Sequence, residues 1–153
     1  MKKQNHKMRL KRHIANTESP LATIYNSRPS EPAEVSRVMV DVRMCYERLK
    51  SGAGTEQDYR VVIFAVNIGM IRAEAIDTEL VSYFLAAGEA LMECGRLHAR
   101  HDRYGFTGPG ILAINAALEF YEQMLGLSSP NQMHAAAEEA DRRYRAGDVI
   151  TAA

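Results

Sequence analysis

The chain has 153 residues and a mass of 17.1 kDa, which allows one ordinary domain with a core that needs no disulfide or metal staple. Hydrophobic residues make up 46% and charged residues 25%, and this excludes the disordered, collagen-like and disulfide-scaffold classes. The formal charge is zero, from 19 basic and 19 acidic side chains, but that total hides a strong segregation.

Residues 1–13 carry Lys2, Lys3, Lys7, Arg9, Lys11 and Arg12 with no acid, which leaves 13 basic against 19 acidic groups, a net −6, over residues 14–153. Six cations in thirteen residues form a sequence-independent phosphate footprint, with a salt slope of about −5 on duplex DNA; a solubilising tail has the same composition. Residues 14–30 hold Pro20, Pro29 and scattered polar groups, so 1–30 reads as a flexible basic arm and linker. The arm lacks the apolar run of a secretory signal, because Ile14 and Ala15 lead straight into Asn16, Thr17 and Glu18. Eighteen consecutive apolar residues occur nowhere, and Cys45 and Cys94 each lie in a helical stretch. A cytoplasmic protein with reduced thiols and no membrane contact is expected.

From Ser30 onward the apolar spacing is helical throughout. The first helix is expected over 31–50, with Ser30 as N-cap, the inward stripe Val35, Val38, Met39, Val42, Tyr46 and Leu49, and Gly52 and Gly54 as stops. The second opens on Thr55, with Asp58 three residues later as a capping-box partner, and runs to about residue 75. It is apolar around nearly its whole circumference, with Arg60, Asn67 and Glu74 marking one narrow wet strip, so it is the central helix.

A third helix is expected over 77–103, with Asp77 as N-cap and Leu80, Phe84, Ala87, Leu91 and Cys94 inward. Gly88 and Gly95 lie seven apart on one of its faces, which points to a close backbone approach, within the bundle or across a homodimer interface. Gly105 serves as its C′ cap. The fourth helix, over 108–125, is introduced by Thr107 as N-cap, with Phe106 and Ile111 at the spacing of a hydrophobic staple, and turns Ile114, Leu118, Tyr121 and Leu125 inward. The fifth starts from Ser129, Pro130 and Gln132. Its apolar face of Met133, Ala137, Ala140 and Tyr144 is thin, which suits a peripheral position. Short connections then give an all-α, up-and-down bundle of five helices over 31–147, four around one core and the C-terminal one outside, followed by a tail over 148–153.

Chemistry-bearing residues are few. His98, His101 and Asp102 fall at i, i+3 and i+4 of one helix, the spacing of metal ligands, but no second ligand motif stands on another helix, and the dipole better explains histidines near a helix C-terminus. The glycine-rich loop from Arg103 to Gly110 opens a helix but has neither a phosphate-loop pattern nor a preceding strand. Arg96, Arg100, Arg103 and Tyr104 together form a patch suited to an anionic or protein partner. No serine elbow occurs, neither cysteine has a neighbouring histidine, and Glu119 with Glu122 reads as a solvated pair. No catalytic residue and no cofactor are expected.

Gly54-Thr55-Glu56-Gln57-Asp58-Tyr59, Arg103-Tyr104-Gly105-Phe106-Thr107-Gly108-Pro109 and Glu119-Phe120-Tyr121-Glu122 resemble segments of small helical proteins encoded on plasmids, integrative elements and prophages of proteobacteria. The resemblance spans about residues 35–140, implies a mobile-element setting, and carries over no catalytic residue. Three expectations follow. The first is an interaction protein binding protein or nucleic acid through its arm and the Arg96–Tyr104 patch. The others are a metal- or phosphate-dependent enzyme centred on His98, His101 and Asp102, and a homo-oligomer joined through the Gly88 and Gly95 face.

Overall fold

A computed structural model describes residues 28–149. The basic arm with Lys2, Lys3, Lys7, Arg9, Lys11 and Arg12 lies outside the described residues, as does the chain from 150 onward. Five helices follow one another: α1 Pro32–Ser51, α2 Glu56–Ile76, α3 Val81–His101, α4 Gly108–Leu127 and α5 Pro130–Ala146, with a 3₁₀ turn, Thr78–Leu80, leading into α3. There is no strand among the described residues, and no described helix is long and apolar enough to cross a membrane.

The fold is the expected all-α bundle. α2 packs against α1, α3, α4 and α5, while α1 and α3 each also pack on α4. Tyr46, Leu49, Val62, Ile63, Val66, Phe84, Leu91, Ile114, Leu118 and Met124 fill the shared core, each almost wholly removed from water. Each such side chain contributes about 1.5–3 kcal/mol by burial. α5 lies outside the four, burying only Ala136 and Ala140.

Local chemistry sets the boundaries. Thr55 and Asp58 form a reciprocal capping box at α2, Ser129 and Gln132 form another at α5, and Thr107 accepts from the Gly110 N–H at α4. Gly52 ends α1 at φ +83°, a left-handed conformation that glycine adopts without steric cost.

Five details depart from the sequence reading. The N-cap of α1 is Glu31, whose side chain makes no capping bond. Ser30 instead turns toward α4, and its N–H and Oγ both donate to the Ser128 carbonyl at 3.1 Å. Asp77 caps the 3₁₀ turn rather than α3. The left-handed residue after α3 is Asp102 at φ +53°, not Gly105, since a short polar side chain tolerates this region. Val38 is not inward but 39% exposed. Asn67, placed on the wet strip of α2, is buried, because α5 crosses that strip: Tyr144 meets Phe64 and Arg143 meets Glu74 on either side of it.

The charged run of α5, residues 138–145, also holds that helix to α2. Arg143 donates two hydrogen bonds of 2.9 Å to Glu74 of α2 and a third to Glu139, which also receives two from Arg142. A planar guanidinium suits this bidentate clamp, and it compensates for the thin apolar face that α5 offers.

Candidate functional site

The residues proposed as a contact patch sit where α1 and α3 end and α2 and α4 begin. Tyr104 is a core residue there, 5% exposed. Its ring lies flat against His98, with centroids 4.0 Å apart and planes 8° from parallel, and stacks on Tyr59 at 5.1 Å. Tyr59 in turn donates to the Leu91 carbonyl at 2.7 Å, and its hydroxyl occupies the space that a Cβ on Gly95 would enter, at 2.5 Å. Burial pushes the Tyr59 hydroxyl up to about 12 and the Cys94 thiol up to about 11, which makes both inert as acids near neutral pH.

Three of the four patch residues have partners within the chain. Tyr104 is unavailable to a partner, because its ring has been drawn into the core by two stacking neighbours. Arg96 is paired with Glu93 at 2.6 Å. Arg103 reaches across to donate to the Ser51 carbonyl at 3.3 Å, lying against Gly52. All three arginines stay exposed, and Arg100 alone of them has neither a hydrogen-bond nor an ion-pair partner among the described residues.

The histidine cluster does not assemble either. His98 Nε2 is 3.5 Å from Asp102 Oδ1, but His101 is exposed, and no three His, Cys, Asp or Glu groups converge as metal ligands among the described residues. The Gly88 and Gly95 face is also taken, since both glycines are buried inside this one chain. The close approach that Gly95 permits is to Tyr59 of α2 and not to a second copy.

At the same end, Asp58 does more than cap. It is 4% exposed and accepts from Arg48 Nε at 3.0 Å and Nη2 at 2.6 Å, and from the Thr55 N–H and hydroxyl at 2.9 and 3.1 Å. Those donors, Arg48 first, hold the Asp58 carboxyl well below the usual carboxylate range. Cys45, beside this pair, has its thiol pushed up by burial and by Asp58. The arrangement bolts the end of α1 to the start of α2 and leaves no nucleophile.

An unfilled surface lies elsewhere. Along the outer flank of α1, Val40 and Met44 stand one turn apart with more than half of each exposed to water. They border a trough of about 600 Å³ floored by Met39, with Ser36 at one end, Glu47 and Arg48 at the other, and Arg43 and Glu122 along the rim. Arg43 Nη2 and Glu122 Oε2 are 3.8 Å apart. Seven of its eight lining residues come from one helix, so it is open along its length rather than enclosed as a small-molecule site is. Its signal in the sequence was the pair Val40 and Met44, i and i+4 but off the inward stripe.

No family model, no curated protein and no solved structure gives a significant match to this chain.

Proposed function

We propose that this chain is a non-enzymatic binding protein, a rigid helical bundle that receives a helical segment of a protein partner along the outer flank of α1. The carrying observation is the exposed pair Val40 and Met44 over Met39. Apolar anchors one turn apart suit an amphipathic helix laid in parallel, methionine adapts its shape to a facing surface, and the Arg43 and Glu122 rim offers charges of both signs for register. The mobile-element setting implied by the resemblance belongs to this proposal. The basic arm adds a second reading, attachment to nucleic acid, favoured by its six cations without an acid; the described residues, with 13 basic against 18 acidic groups, add no attraction of their own.

The test is a comparison of captured partners. A protein held by the unaltered chain is expected to bind the V40D/M44D double variant about 30-fold more weakly, the loss of one hot-spot contact. Binding to Arg100→Glu stays unchanged. Equal capture by V40D/M44D removes the α1 flank from the reading. For the second reading, duplex-DNA affinity that does not fall with salt, or that survives removal of residues 1–13, removes the arm.

A further inference from the structure

A smaller groove opens where the described chain begins. It holds about 270 Å³ and is walled by Val35 and Val38 of α1, Leu125 of α4, and Pro130 and Met133 of α5. That is below the roughly 300–1,000 Å³ of small-molecule sites, and it suits one or two apolar side chains. Val38 at its lip is left 39% exposed. Ser30 also lines this groove, and its two hydrogen bonds to the Ser128 carbonyl anchor the chain there. The described chain thus begins beside the groove.

The sequence just ahead of it is apolar. Leu21, Ala22, Ile24 and Tyr25 form the densest apolar run ahead of Ser30, bounded by Pro20 and Pro29. Ile24 is six residues from Ser30, within about 20 Å of chain, and so short a tether gives a local concentration of about a millimolar, at which weak apolar contacts suffice. The basic residues 2–12 lie beyond this run. They would then be held beside the exposed acids Glu31, Asp77 and Glu79, on a body whose described residues carry a net −5. We propose that Leu21–Tyr25 seats in the groove between α1 and the start of α5 of its own chain, tethering the basic arm at that end of the bundle.

Engineered cysteines test this in the full chain, with the buried native thiols left in place. Thr23→Cys with Val38→Cys is expected to form an intrachain disulfide at least about tenfold faster than Thr23→Cys with Leu127→Cys. Leu127 is the control because it is exposed and adjoins the same Ser128 anchor. Adding L21D/I24D is expected to abolish the difference. Without any cysteine change, backbone amides over 21–25 are expected to exchange about tenfold more slowly than in the L21D/I24D variant. Equal disulfide rates for the two pairs, or unprotected amides in the unaltered chain, overturn the proposal. Disulfides that form only between molecules and scale with protein concentration overturn it in favour of a second copy as the occupant.

Discussion

The two ends of the bundle are closed by different chemistry. At the Tyr104 end, α1 to α4 are joined by side chains of high specificity: the Tyr59, Tyr104 and His98 stack, the Arg48 and Asp58 pair, and Arg103 on the Ser51 carbonyl. At the Ser128 end, closure is lighter apart from the Arg143 clamp on Glu74. Ser30 donates to the Ser128 carbonyl and Arg72 Nε donates to the Ser128 hydroxyl at 3.1 Å, while Glu31, Asp77 and Glu79 stay exposed. At the first end the Arg48 and Asp58 charges are spent on each other, while Arg100 stays exposed. At the second the acids Glu31, Asp77 and Glu79 face outward, and the described chain begins at that end. A patch that looks like free surface from its composition can thus have a core ring, Tyr104, in its midst.

The contrast predicts a ranking of stability losses, each measurable by urea denaturation. Tyr104→Ala is expected to cost most, about 3–4 kcal/mol, because it opens a cavity between two stacked rings. Asp58→Ala follows at about 2 kcal/mol, since it removes the capping-box partner and strands several donors. Ser128→Ala, at the lighter end, is expected to cost about 1 kcal/mol, one side-chain hydrogen bond, with Ser30 unaffected because it uses the carbonyl. Glu79→Lys should lie within about 0.5 kcal/mol of the unaltered chain. A loss for Ser128→Ala equal to that for Tyr104→Ala would break the comparison.

Acid sharpens the same contrast. The native Asp58 carboxyl titrates below the ordinary carboxylate range, so its contribution is complete above that range and is lost as pH falls through about 4 and below. Stability of the unaltered chain should therefore decline on acidification more steeply than that of Asp58→Asn. Parallel pH profiles would show that the Arg48 pair does not couple to folding.

Local signals made much of this protein legible. Thr55 with Asp58, Ser129 with Gln132, Thr107 before a Pro-containing first turn, and Gly52 at the end of α1 identified helix termini, because a cap is satisfied within three or four residues of itself. The apolar circumference of α2 marked it as central for a similar reason, since period and composition are carried along a single helix. The positions that misled are those decided by a neighbour distant in sequence. Asn67 is polar yet buried, and Tyr104 looked like a surface aromatic although Tyr59 and His98 stack on it; for Gly88 and Gly95, by contrast, the reading of a close approach within the bundle holds.

The same division holds for the candidate site. From its sequence alone this chain determined an all-α bundle, its helix order and the charge segregation between arm and body, which depend on local spacing and counting. Only the tertiary structure decided which cations are free and which apolar residues remain uncovered. Arg103 found an acceptor on α1, while Val40, Met44 and Val38 kept their exposure, because burial is settled by which helix packs against which face and no single helix contains that information.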